Sequence, residues 1–385
     1  MTAEASTGDN PPVRVSTLEL FFDLVFVFTI TQLADLLEHH LDWLGLAQVV
    51  LMLGVIWWMY GGYAWLTNAV APSSTTRRSL LLTGMAGFFV IALAIPHAFG
   101  STGWAFGVAY LVVSLVHSSL FLGVGGPSAA PAVRRLALLN LVSALLVVGG
   151  GFVPPGWRYG LWAAALAIQI ATPYLHRMTG YTVATRHFTE RHGLVVIIAI
   201  GESIVAIGVG IAGLPLGTET ITVAVLGLCI AYYLWWAYFA GDEERAEQVL
   251  AAITEPARKA RTALAAYGYA HYPMILGIVV LATGVKTSVA HGFESLPWPP
   301  AIALGAGAAL FLAGHAWFLR ILGLTGVVHR LAATAGVLAA IPLGHWIAVA
   351  ELVAVPLVMA AALIAEDIPR ARRAGSSAVH TFGRT

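Results

Sequence analysis

Apolar stretches of about twenty residues follow one another along the whole chain, parted by short polar or Pro/Gly-rich connectors. They fall near 17–37, 44–66, 79–99, 103–123, 133–153, 157–178, 189–212, 220–240, 262–286, 298–319, 326–344 and 346–365. A hydrocarbon core takes about 20 residues of helix. In lipid each segment must satisfy its own backbone hydrogen bonds, which a continuous helix does. The spacing therefore predicts an all-α integral membrane protein of twelve transmembrane helices. A water-facing surface is excluded by composition: 59% of the 385 residues are hydrophobic and only 10% are charged, against roughly 25% charged in soluble domains. Little chain remains for an extramembrane catalytic domain, and a net charge of +1 offers no field for nucleic acid.

Basic residues set the orientation, because Lys and Arg favour cytoplasmic loops. With the N-terminus inside, eighteen of the twenty fall in inside segments, and only Arg158 and Lys286 fall outside. An even helix count follows, with both termini cytoplasmic and the chain multi-pass in the cell membrane. Parity also argues for two helices in the nearly unbroken run 331–365, with Pro342-Leu343-Gly344-His345 as the turn. The first sixteen residues lack the apolar core and cleavage site of a signal peptide. Cys229 is the only cysteine, so no intramolecular disulfide forms.

An internal duplication is legible. Glu19–Leu33 aligns without gaps on Glu190–Ile204, and Trp57-Trp58-Met59-Tyr60 has its counterpart in Trp235-Trp236-Ala237-Tyr238. Six helices per unit is an even number, so the repeats are parallel, related by an axis along the membrane normal. The expected organisation is a cytoplasmic tail 1–16, a first six-helix repeat 17–178, a cytoplasmic connector 179–188, a second six-helix repeat 189–365 and a cytoplasmic tail 366–385.

Candidate site residues are those that lipid would not tolerate. A mid-membrane carboxylate costs roughly 2.5–3.5 kcal/mol even on insertion scales. Glu19 and Asp23, four residues apart, share a helical face, and Glu202 lies deeper, among Gly201, Gly208, Gly210 and Gly213. Small residues permit close helix approach. Two neighbouring carboxylates resist joint ionisation, which predicts a protonated acid or a basic partner; Arg191 and His192 at the start of the seventh helix are the expected charge partners. Glu202 is expected to line a cavity between the halves, with Asp23 near its cytoplasmic end. Trp57, Trp58, Tyr60, Trp235, Trp236 and Tyr238 are candidate substrate-binding walls, although an interfacial aromatic belt explains such clusters too. The histidines form no paired ligand pattern, so no metal is expected. No cofactor motif occurs.

The stretch Glu19-Leu-Phe-Phe-Asp23-Leu-Val-Phe-Val-Phe-Thr-Ile-Thr-Gln-Leu33 resembles the opening signature of the bacterial low temperature requirement protein A (LtrA) family. Arg186-His-Phe-Thr-Glu190-Arg-His-Gly193 and Ile200-Gly-Glu202-Ser203 resemble its second signature. The resemblance spans the chain and implies a multi-spanning protein of the cytoplasmic membrane. A fainter similarity is to potassium channels of two six-helix repeats, whose first and seventh helices carry Phe-Ser-Asp. Here Phe22 stands for the serine, and Leu194 stands where the second aspartate would be.

Three functions fit. An ion, proton or small solute moves along a polar path between the halves, with Ile30 and Ile198 as a dewetting gate. Alternatively, an intramembrane enzyme acts on a lipid or isoprenoid, for example in cyclisation: a buried carboxylic acid protonates the substrate and aromatic faces hold the carbocation. Thirdly, the acids are packing clamps in a structural or sensory membrane protein. The partners on these readings are the lipid bilayer and a small solute, ion or lipid-like substrate; a homo-oligomer is compatible with them.

Overall fold

The computed structural model describes residues 16–69, 74–122, 130–175 and 183–382. Arg14 and the first tail to residue 15, the Gly125-Gly126-Pro127 connector and residues 179–182 of the connector between the halves lie outside the described residues. The described chain is helical throughout: α1 (Thr17–His39), α2 (Trp43–Ala69), α3 (Thr75–Ala94), α4 (Gly103–Leu122), α5 (Ala130–Phe152), α6 (Pro155–Leu175), α7 (Thr185–Gly210), α8 (Thr218–Phe239), α9 (Asp242–Ala252), α10 (Pro256–Ala263), α11 (His271–Ala290), α12 (Trp298–Leu322), α13 (Val327–Trp346) and α14 (Ala348–Phe382). A π-helical turn, Leu264–Tyr269, joins α10 to α11. Eleven helical spans among the described residues are long and apolar enough to cross a membrane. Helix α6 is the twelfth long helix; it is more polar because Arg158, Gln169 and Thr172 turn inward, where all three are buried. We call the face where α1 begins proximal and the opposite face distal.

Local chemistry explains the helix boundaries. Ser16 and Glu19 form a capping box at the start of α1: the Ser16 hydroxyl accepts from the Glu19 amide at 3.3 Å, and the Glu19 carboxylate accepts from the Ser16 amide at 2.8 Å. Such reciprocity satisfies amide donors that have no intrahelical acceptor. The α13–α14 break lies at Ile347, an extended residue, rather than at Pro342, which stays inside α13. The loop between α11 and α12 supplies what this break lacks: the Gly292 and Glu294 carbonyls accept from the Val349 and Ala348 amides at 2.7 and 2.9 Å. Helix α14 also runs on to Phe382, through most of the segment expected as a tail.

Both exceptions to the basic-residue rule are committed within the protein. The buried Arg158 guanidinium donates to five carbonyls, those of Ala98, Gly100, Gly150, Gly151 and Val153, at 2.6–3.3 Å. All five guanidinium N–H groups are thereby matched, and the C-terminal carbonyls of α5 gain partners that the helix cannot supply. Lys286 pairs with Glu38 at 2.5 Å.

In the first half α1 packs on α3, α3 on α4, α4 on α5, α5 on α6 and α6 on α2. The second half shows the same succession, with α7 on α11, α11 on α12, α12 on α13, α13 on α14 and α14 on α8. The halves meet mainly where α1 lies against α7 and α11, with α2 also touching both. Glycine brings α11 against α12: a Cβ on Gly284 would collide with the Leu304 backbone, and one on Gly307 with that of Leu281. The α7 glycines do not form such a strip. Gly201 and Gly208 face open space, Gly210 abuts the Lys286 carbonyl of α11, and Gly193 meets the Glu243 side chain.

Candidate functional site

Helices α1 and α7 run side by side in parallel, and their polar residues meet in register. His187, Arg191 and Glu202 are separated by four and eleven residues, near-integral turns at 3.6 residues each, so all three face α1. His187 Nε2 lies 3.1 Å from the Glu19 carboxylate. One turn on, Arg191 donates to Asp23 Oδ2 at 3.1 Å, and the Tyr60 hydroxyl donates to Asp23 Oδ1 at 3.1 Å. Farther along, the Thr31 hydroxyl donates to Glu202 Oε2 at 2.5 Å.

The Asp23 cluster is close-packed. Asp23 is fully buried and Arg191 nearly so. The guanidinium carbon of Arg191 stands 5.9 Å from the centre of the Tyr60 ring. Phe22, Phe26, Trp57 and Tyr63 enclose the cluster through ring contacts with one another and with Tyr60. The space beside Glu19, Phe22, Tyr63 and Arg191 is about 10 Å³, about the minimum for one water. Asp23 thus faces an opposite charge, and Glu19 has the His187 ring beside it, as burial in lipid demands of polar groups.

His192 is not the charge partner that its place in sequence foretells. A step of one residue turns a side chain by about 100°, which aims His192 away from α1. Its Nδ1–H donates to the Phe188 carbonyl at 2.8 Å, and the ring sits among Phe188, Tyr267 and His271. His187 stands opposite Glu19 instead.

Glu202 lines a cavity of about 140 Å³ where α1, α7 and α11 converge. Glu202, with Thr31, forms its floor at 5% exposure. Asp35, Glu38 and Lys286 are its half-exposed distal rim, and Val205, Val209, Ala206 and Ala282 are among its apolar walls. Neither Asp23 nor Trp57 nor Trp235 reaches this cavity. Thr31 is eight helical steps from Asp23, about 12 Å, and the interval is filled by the buried Phe26, Ile30, Val195 and Ala199. Ile198 is only partly buried.

The aromatic candidates divide. Trp57 and Tyr60 belong to the Asp23 cluster; the Trp57 indole donates to the Gly268 carbonyl of the π-helical turn at 2.7 Å. Tyr238 is buried and donates to His271 Nε2 at 2.8 Å, the other nitrogen of that ring being given to the Ala266 carbonyl. Trp235 and Trp236 are each 37% exposed on the outer surface of α8, and Trp58 is half-buried beside Tyr269. Those three fit an interfacial belt.

A further polar centre has no counterpart in the sequence expectations. Buried Arg330 donates to His315 at 3.2 Å, to Glu366 at 2.6 Å and to Asp242 at 3.3 Å, and Arg245 also pairs with Asp242. Asp242, Arg245 and Arg330 stand in the first turns of α9 and α13, and Glu366 lies just past the last apolar run, where sequence position alone makes them look like loop charges. Among the described residues no group of three or more His, Cys, Asp or Glu is placed to hold a metal ion.

The sequence model for the bacterial low temperature requirement A protein (LtrA) matches residues 14–365. An uncharacterized protein of Rhizobium meliloti (strain 1021) is 31% identical over 322 residues, covering 80% of this chain and 78% of that relative. No solved structure matches.

Proposed function

This chain belongs to the bacterial low temperature requirement A (LtrA) family of proteins, and from that premise we propose that it moves a proton, ion or small solute along the seam between α1 and α7. The observation that carries this reading is the in-register series of polar contacts on that seam: Glu19–His187, Asp23–Arg191 and Thr31–Glu202. Polar groups at that depth are costly unless paired or hydrated, and those that are kept there mark a path or a clamp. The cavity at Glu202 favours a path, since a clamp needs no space beside it. On this reading the cavity is the distal vestibule, the apolar stretch around Phe26 and Ile30 is a gate closed by dewetting, and the Asp23–Arg191–Tyr60 cluster is the proximal latch. Thr31 and Glu202 are also the residues that the repeat alignment sets against each other. Equivalent residues of a twofold arrangement touch each other only at its axis, so their contact supports a path along a pseudo-axis.

The enzyme reading is less well supported. Holding a carbocation needs an apolar pocket with an acid and aromatic faces together, and no aromatic candidate lines the cavity at Glu202. The space beside Asp23's aromatic surroundings is about 10 Å³, and the Trp57 indole is held by a backbone carbonyl.

Reconstitution of the full chain in proteoliposomes tests the proposal. Proton and monovalent-cation flux is expected above that of empty liposomes. Glu202→Gln should lower it roughly tenfold, equivalent to a barrier about 1.4 kcal/mol higher, with protein insertion unchanged. Flux equal to that of empty liposomes, or indifferent to Glu202→Gln, would overturn it.

A further inference from the structure

We infer that the cavity between α1, α7 and α11 is a binding site for a short primary alkylammonium ion, held by Glu202 and Asp35. The inference names a substrate class for the path proposed above and rests on that reading for its transport role, though not for binding.

Charge comes first. Asp35, Glu38 and Glu202 face one cavity with a single cation, Lys286, which rests on Glu38 at 2.5 Å and reaches Glu202 only through space, so one cation serves three carboxylates. His39 touches Asp35 only at 3.7 Å, out in solvent. Glu202 is 5% exposed and has one hydroxyl as its partner. A carboxylate so placed is under-compensated, because burial removes more solvation than one neutral hydrogen bond returns. The missing group is a cation with N–H donors.

The walls then decide which cation. Ala34, Ala206 and Ala282, all buried, line the space, and Val205 and Val209, each about half exposed, border its open side. A metal ion would need several oxygens converging on one point, and no such grouping of acids occurs among the described residues. A hydrocarbon body suits these walls, since it buries apolar surface on both sides.

Size and precedent agree. The cavity is about 140 Å³, close to the roughly 150 Å³ of an engineered cavity that binds benzene, so a ligand of five or six heavy atoms fits. Lys286 is itself a four-carbon alkylammonium resting on a carboxylate at the rim of this cavity. The site thus already accommodates one member of the class it is inferred to bind, and a free ligand would take the second berth, its ammonium towards Glu202 and Asp35 and its chain against Val205 and Val209.

Calorimetric titration of the purified full chain with butylammonium chloride, at constant ionic strength, tests this. Saturable binding is expected for butylammonium, and none for butan-1-ol (no charge) or tetramethylammonium (no N–H). Glu202→Gln and Asp35→Asn should each weaken binding about tenfold or more, as loss of a charge-assisted hydrogen bond does. Lys286→Met, which keeps the hydrocarbon and frees Glu38, should strengthen it. Should Glu202→Gln not fold, Val209→Phe serves instead, because it fills the cavity from an apolar wall and should abolish binding with every charge intact. No saturable butylammonium binding by wild type, or binding unmoved by Asp35→Asn and Val209→Phe, overturns the inference. Proton or metal-cation flux without butylammonium binding would refute this ligand class and leave the path standing. Binding without any flux would leave the site and refute the path.

Discussion

Asp23 and Arg191 are each more than nine-tenths buried, and each is tolerable there only because of the other. Removing one partner of a buried ion pair leaves a stranded charge and costs about 3–5 kcal/mol, whereas removing both is often near neutral. Arg191→Met alone should therefore destabilise the protein strongly, and Arg191→Met with Asp23→Leu should recover much of the loss. Thermal unfolding of the single and double variants in detergent measures this; equal losses in the two would show that the pair is not energetically coupled. Tyr60 adds to the cluster through its hydroxyl on Asp23 Oδ1, so Tyr60→Phe should cost about 1 kcal/mol, the net worth of a typical hydrogen bond. Glu19 has a different duty. Its carboxylate closes the capping box of α1 as well as facing His187, and Glu19→Gln, which preserves the capping geometry, should be milder than Glu19→Ala in the same assay.

At the scale of helices, close approach is localised. Gly284 and Gly307 let α11 and α12 touch backbone to backbone, while Gly201 on α7 faces open space. Gly284→Ala should thus cost about 1–3 kcal/mol, as overpacking does. Gly201→Ala should be neutral or slightly stabilising, because alanine is the better helix former. Comparative melting of the two variants decides; a Gly201→Ala loss as large as that of Gly284→Ala would refute the assignment of the contact. The helix plan was legible in sequence because spans of this length depend on little more than hydropathy. Helices α9 and α10 were not legible: they are short, charged and outside the apolar runs, so neither length nor hydropathy marks them. Asp23 and Glu202 stood out because acids that deep are costly. Asp35, Glu38 and Lys286 lie near helix ends, where a charge looks ordinary until a neighbouring helix turns it into the rim of a cavity. The exchange of His187 for His192 rests on one step of helix rotation, which identity and position alone do not fix without knowing which face meets α1.

For the whole molecule, the arrangement of charge makes a prediction about topology. If both termini are cytoplasmic, the distal face is external. Leu216, between α7 and α8, is 81% exposed there, and Glu255, between α9 and α10, has a well-exposed side chain on the proximal face. In a Cys229→Ser background, Leu216→Cys should react with a membrane-impermeant maleimide in intact cells, and Glu255→Cys only after permeabilisation. The reverse pattern would invert the protein and with it the vestibule and latch. Within the bundle the halves touch mainly through α1 against α7 and α11, so relative movement of the halves would be felt first at Glu19–His187, Asp23–Arg191 and Thr31–Glu202.

The short apolar stretch between Glu202 and Asp23 has an electrical consequence. A cavity in contact with the aqueous phase carries little of the transmembrane potential, so the voltage concentrates where the protein is dry. About 12 Å of helix then bears most of the drop. An elementary charge crossing a full 100 mV exchanges about 2.3 kcal/mol with the field, enough to bias its position by more than an order of magnitude. With the distal face external, a cation leaving Glu202 for Asp23 would traverse this focused field, so an inside-negative membrane would drive it inward and hold it back from the opposite passage. The protein would in that respect act as a capacitor with a thin dielectric, its plates set by two carboxylates on neighbouring helices.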